Sequence, residues 1–243
     1  MADATVPRDV VVADCTVPGK WIDGSGTPIR AAPRLHRRQL NRSEIRRRLR
    51  SAPKLGRDTL IDVIFDESWS VRGGNDVVGL RHELILIALE HLSGNFQRRG
   101  KWSARISTFD MPSVFELPIT SLTRRGLKVA EGVLLRGSPG GCSILGPSLR
   151  RAEESATRLT DHDRLLVVVS DFELFDQPSP QSSLQRMIDS SATQVLAISL
   201  NNVPPDVLVD SRVQTARVVA GDSLSDLANY VIDAAHACAE QVN

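Results

Sequence analysis

From Thr59 onward the chain alternates short apolar runs with longer stretches of helical character, and few architectures accommodate that rhythm. "LIDVIF" (60–65), "SARISTF" (103–109), "VFELPIT" (114–120), "RLLVVVS" (164–170), "QVLAISL" (194–200) and "ARVVA" (216–220) read as strands. Between and after them, 77–92, 127–135, 144–159, 182–190 and 223–240 read as helices. Strand followed by helix, repeated, predicts an α/β fold around a largely parallel sheet of about six strands. Pro118 cannot donate to a ladder, so its strand belongs at an edge. The unbroken apolar block Leu84–Leu89 predicts a helix buried on more than one face.

The first 57 residues differ in kind. A short β-like run, Val10 to Ala13, is followed by Pro and Gly punctuation and then by "RLHRRQLNRSEIRRRLRS" (34–51). Its Leu35, Leu40, Ile45 and Leu49 are too sparse for a core-facing stripe; its length permits one basic helix with Ser43 as N-cap. Between Arg30 and Arg57 eleven basic residues face one acid, Glu44, so a +10 segment is attached to a body of −9. Residues 1–57 are expected to form an extension and 58–243 the folded domain. The extension either docks on the acidic body or an acidic partner, or binds nucleic acid through phosphates. The absence of aromatics between Arg30 and Arg57 favours the protein contact.

No apolar run approaches the ~20 residues of a membrane span. The N-terminus lacks a basic segment followed by an apolar one, and three scattered cysteines, Cys15, Cys142 and Cys238, have no metal spacing. The expectation is a protein of the reducing cytoplasm with no secretory signal.

Two of the strands end in acid and hydroxyl groups. "LIDVIF" runs into Asp66, Ser68 and Ser70; "RLLVVVS" ends at Ser170 and runs into Asp171. In open α/β sheets, ligands bind beyond the carboxyl ends of strands, where strand order reverses. If these two strands are neighbours there, their oxygens converge, and such donors suit a hard cation such as Mg²⁺. The first cluster also fits a polar turn that caps the next helix, and Asp171, with Glu173 and Asp176, fits an acidic loop. His82 and His91, nine residues apart on one helix, and His36, His162 and His236 have no catalytic spacing.

Taken in order, D-x-S-x-S (Asp66, Ser68, Ser70), "PGGCSILGPSLRRAEE" and "LLVVVSDFE" resemble the three landmarks of a von Willebrand factor type A domain. "ISTFD" and "ITSLT" also resemble that family's segments, and the likeness covers about residues 58–240. The resemblance implies a Rossmann-like sheet with one antiparallel edge strand and helices on both faces. It further implies a metal-ion-dependent adhesion site. Ser68 and Ser70 would bind Mg²⁺ (or Mn²⁺) directly, Asp66 and Asp171 directly or through water, and an acidic residue of a partner protein would complete the shell. Two positions depart from the pattern. Cys142 stands where the family has Thr, and a thiol is a poor ligand for a hard cation; Ser143 is the adjacent hydroxyl. Trp69 replaces the small residue between the serines.

The reading is therefore a cytoplasmic interaction module or adaptor and not an enzyme, since no nucleophile has an activating base nearby. By the same resemblance, its partners would include ATPases of the AAA+ class or components of multi-protein regulatory systems. One alternative is a metal-independent scaffold that binds through its basic arm. A haloacid-dehalogenase-like, Mg²⁺-dependent phosphohydrolase fits less well, because its second Asp is Ser68 here.

Overall fold

The computed structural model describes residues 40–52, 57–71, 76–94, 101–109, 116–134 and 143–240. Residues 39–243 form one compact unit. The run at Val10–Ala13, the arginines from Arg30 to Arg38, His36, Cys15 and Cys142 lie outside the described residues, as does the side chain of Trp69.

Six strands form one sheet: β1 (Thr59–Phe65), β2 (Trp102–Thr108), β3 (Glu116–Ser121), β4 (Asp163–Ser170), β5 (Gln194–Leu200) and β6 (Val213–Val218). Their order is β3-β2-β1-β4-β5-β6, and every pair is parallel except β2–β3. β3, the strand that carries Pro118, lies at the antiparallel edge. β1, β2, β4 and β5 are buried along their whole length; β1, β4 and β5 accordingly read as largely apolar runs, whereas β2 alternates apolar residues with buried polar ones.

Helices α2 (Arg81–Gly94), α3 (Arg124–Leu134) and α6 (Leu224–Glu240) pack on one face, where Ile61, Val63, Phe65, Leu165 and Val167 meet Leu84, Ile87, Ala130, Val231 and Ala235. Helices α4 (Gly146–Ala156) and α5 (Pro180–Ile188) cover the other, against Ile64, Leu166 and Val168. α2 is buried from Arg81 through Leu89, because it lies between the sheet and the other helices of its layer. It starts later than periodicity suggests. Val77, Val78 and Leu80 enter the core from a turn in which Asp76 Oδ1 accepts the Gly79 N–H (2.9 Å). Cys238, buried on α6, has a thiol pushed up to about 12 by desolvation and by the charge of Asp163.

Two expectations for the basic segment are corrected. Its helix, α1 (Arg42–Arg47), is one and a half turns long and is capped by Asn41, whose Oδ1 accepts the Glu44 N–H (3.2 Å), rather than by Ser43. Its sparse apolar residues do reach the core: Ile45 is buried, and Leu40, Leu49 and Ala52 pack beside it. A helix this short needs only one apolar knob, because guanidiniums supply the remaining anchors. Arg42 pairs with Glu90 (3.3 Å) and Glu131 (3.1 Å), Arg46 with Glu90, and Arg50 with Asp233 (2.6 Å). His91 Nε2 lies 2.8 Å from the Arg50 carbonyl, and His236 Nε2 lies 2.5 Å from that of Ser51. Residues 40–52 thus dock on the acidic body.

The polar interior was not anticipated. Asp62, in the middle of β1 and wholly buried, accepts from Arg105 on β2 (2.9 Å) and Arg164 on β4 (3.3 Å). Arg105 also reaches Glu116 on the edge strand (3.0 Å), so charge links four adjacent strands.

Candidate metal-binding site

Strand order reverses between β1 and β4, and the two strands are hydrogen-bonded neighbours whose ends are level, Phe65 opposite Val169. The Asp66 N–H donates to the Val169 carbonyl (2.8 Å), which carries the ladder past β1 and sets Asp66 beside Ser170. The required convergence of the first and fourth strand tips is present.

Asp66 is fully buried, and both of its oxygens are engaged: Oδ1 accepts the Ser68 N–H (2.8 Å) and Oδ2 accepts the Ser170 hydroxyl (2.7 Å). Desolvation pushes its pKa up; the hydrogen bonds from Ser170 and Ser68 oppose that, and the negative charge of Asp171 adds to it. The hydroxyls of Ser68, buried, and Ser70, exposed, lie 2.9 Å apart. Asp66, Ser68 and Ser70 therefore form one polar group at the strand tip, two of them tied together through a backbone N–H and two through their hydroxyls.

The loop after β4 completes one wall. Ser170 Oγ accepts the Phe172 N–H (2.8 Å) as the chain turns through a left-handed conformation at Phe172, φ 59°. That conformation is an outlier for a bulky residue and costs about 1–3 kcal/mol. Burial of the Phe172 ring in the α4–α5 core helps to hold it. Asp171, also buried, accepts the Glu173 N–H on Oδ1 (3.1 Å), and its carbonyl accepts from the Asn202 amide (3.3 Å).

Ser143 is buried, and its carbonyl accepts the Phe175 N–H (2.8 Å), which joins the end of the Gly-rich turn to the β4 loop. Asp176 fixes this junction. Its carboxylate takes the N–H groups of Leu145 (2.9 Å) and Gly146 (2.6 Å) and the Ser183 hydroxyl (2.7 Å), at the start of α4. A Cβ on Gly146 would lie 2.9 Å from both Asp176 Oδ1 and Ser183 Oγ, so any other residue there would displace these two groups from the junction. Asp176, read from sequence as part of an acidic loop, is a structural cap.

A buried ion group behind the first cluster escaped the sequence reading. Arg81 Nη1 donates to the carbonyls of Val71 (3.1 Å) and Val78 (3.1 Å), and Nη2 to that of Asp66 (3.4 Å) and to Glu67 (3.1 Å). Glu67 also pairs with His82 (2.6 Å), whose ring packs 4.5 Å from that of Phe65. Burial alone would raise the Glu67 carboxyl, but His82 and Arg81 outweigh it and hold the group below its usual range. One guanidinium thus braces the loop that presents Ser68 and Ser70 at both ends. The available signal was a charged Arg–His–Glu run placed directly before the apolar block Leu84–Leu89.

The donors that converge are oxygens only, a set suited to Mg²⁺ or Mn²⁺ and not to soft metals. Among the described residues no three His, Cys, Asp or Glu side chains group as a metal site, so an ion here would depend on the serine hydroxyls as well as the carboxylates. No described helix is long and apolar enough to cross a membrane.

No protein-family model matches the chain, and no curated protein matches it. Solved structures do. A von Willebrand factor type A protein from Catenulispora acidiphila superposes with a TM-score of 0.53 at 10% identity, over 74% of this chain and 42% of that one. Proximal thread matrix protein 1 from the mussel byssus, with a zinc-occupied MIDAS motif, gives 0.53 at 17% identity, over 75% and 49%. The SpRpn10 VWA domain gives 0.50 at 10% identity, over 72% of this chain and 94% of that domain. The chain spans less than half the length of the first two. At such identities the likeness is one of fold. With its strand order and single antiparallel edge strand, this chain has the von Willebrand factor type A fold.

Proposed function

We propose that the protein is an interaction module that recognises an acidic residue of a partner protein through a divalent cation, Mg²⁺ or Mn²⁺, at the β1–β4 switch point. Asp66, Ser68, Ser70 and Asp171 would hold the ion directly or through water, with residue 142 or 143 at the remaining loop position. When bound, the cation supplies positive charge to a carboxylate that approaches its open face. The chain's own residues do the rest: Ser170 and the Ser68 N–H orient Asp66, Arg81 braces the loop, and Asp176 fixes the start of α4.

The observation that carries the reading is the buried Asp66 carboxylate, raised in pKa, beside a second buried acid and two adjacent hydroxyls. A cation would relieve the cost of holding those charges together. The zinc-occupied site of the mussel protein shows that this fold can hold a divalent metal. In this reading the module is not an enzyme and works in the cytoplasm, and AAA+ ATPases or other members of a regulatory assembly are candidate partners. A metal-free scaffold that uses the basic arm gains little from residues 40–52, where Arg42, Arg46 and Arg50 are engaged with the body.

Isothermal titration of the full chain with Mn²⁺ tests the proposal. Wild type should bind one ion, and Asp66→Ala and the pair Ser68→Ala/Ser70→Ala should each lose measurable binding. Equal heats from all three proteins would refute the metal role.

A further inference from the structure

A second charged surface lies at the other end of the sheet. β3 runs antiparallel to β2, from Glu116 opposite Ser107 to Ser121 opposite Ser103, so α3 begins at the amino-terminal edge of the parallel strands. The last turn of α2 is at the same edge. There α1, α2 and α3 enclose a groove of about 380 Å³ lined by Arg46, Glu90, Ser93, Arg124, Leu127, Lys128 and Glu131.

Its charges do not balance. Glu90 and Glu131 are already paired with Arg42 and Arg46 of the arm. Arg124 and Lys128 are exposed and form no ion pair with any described residue, so with the arm's Arg42 counted beside the lining this face carries two positive charges in excess. Arg125 adds a third beside them. Arg124 and Arg125 also occupy the first turn of α3, which carries no acid, against the preference set by the helix dipole. Docking of the arm pairs the acids of this face and leaves its cations available.

We infer that this α1–α3 groove is a second, metal-independent docking surface, and that its occupant is an acidic segment of a partner protein. Charge complementarity selects an anionic partner. Three features select protein over nucleic acid. Leu127 lies in the groove, so an apolar side chain of a peptide has a place to pack. Glu90 and Glu131 interrupt the positive surface, which suits a peptide with spaced charges better than a continuous phosphate chain. The lining contains no aromatic on which bases could stack. The module would then hold one partner at the metal edge and a second at the opposite edge.

The test uses a fluorescein-labelled, glutamate-rich peptide carrying one leucine, titrated by anisotropy with the full chain at low salt and in EDTA. A labelled DNA duplex is titrated in parallel. The peptide should bind, weaken with added salt, and bind Asp66→Ala as tightly as wild type. Arg124→Glu/Lys128→Glu should lose about tenfold or more in affinity, about 1.4 kcal/mol. If charge reversal lowers the melting temperature, the milder Arg124→Gln/Lys128→Gln replaces it, with a loss of about threefold or more expected. No peptide binding, undiminished binding by these variants, or tighter binding of the duplex would overturn the inference. The metal reading stands or falls separately, on the Mn²⁺ titration.

Discussion

Replacing Asp62 by alanine removes one carboxylate and strands two guanidiniums. Asp62 is fully buried, Arg105 is 1% exposed and Arg164 is 5% exposed, so water cannot take the carboxylate's place. The two arginines are not equally affected. Arg105 keeps Glu116 at 3.0 Å, whereas Arg164, among the described residues, keeps as a side-chain partner only the Ser191 hydroxyl at 3.1 Å. Breaking a buried ion pair by deleting one partner costs about 3–5 kcal/mol, because the remaining charge is left desolvated. In a unit of this size each kcal/mol moves the melting temperature by about 2–4 °C, which gives a drop of about 6–20 °C. Differential scanning calorimetry at neutral pH reads it directly. A companion variant, Asp62→Leu with Arg105→Met and Arg164→Met, should recover most of the loss, since a packed apolar replacement removes the charges together. A drop of less than about 1 kcal/mol for Asp62→Ala would refute the argument that this network is closed to solvent.

Two further outcomes follow from the group behind the metal loop. Arg81→Ala leaves the carbonyls of Asp66, Val71 and Val78 without their buried donor, at about 1–3 kcal/mol for each unsatisfied group; protease cutting between residues 66 and 80 should accelerate and Mn²⁺ affinity should fall at least tenfold. Arg81→Lys should not restore either property, because a single ammonium cannot reproduce the planar fork, and full rescue by lysine would refute the bracing role. Because the Glu67 pKa is lowered on folding, the stability its ionised form contributes is present above the ordinary value of 4.5 and is lost as pH falls through the lowered one. Glu67→Gln should therefore reduce the melting temperature at pH 7 and flatten its decline below about pH 4.5; superimposable melting curves for the two proteins across that range would contradict the assignment.

The parts of the site legible in the sequence were those that depend on local pattern. Asp66, Ser68, Ser70 and Asp171 could be located because each follows a run of apolar residues whose end marks the rim of a sheet. Arg81 and Glu67 lie fourteen positions apart, and nothing in either local stretch announces that they share a hydrogen bond. Asp176 looked like one of several loop acids until its partners on α4 and α5 were seen. Ile45 is too isolated to suggest a buried helix, because apolar spacing carries no sign of the guanidinium pairs that anchor α1 beside it.

The sequence by itself determined the α/β class, the edge position of the Pro118 strand and which residues end the strands, because backbone chemistry and the periods of strand and helix act over a few residues. Tertiary structure alone decided that β1 and β4 are neighbours, that Asp62 lies between two arginines from adjacent strands, and that the arm neutralises Glu90 and Glu131 while leaving Arg124 and Lys128 free. Those are contacts between distant segments, and their energies depend on distance and solvent exposure, quantities that exist only once the chain has folded.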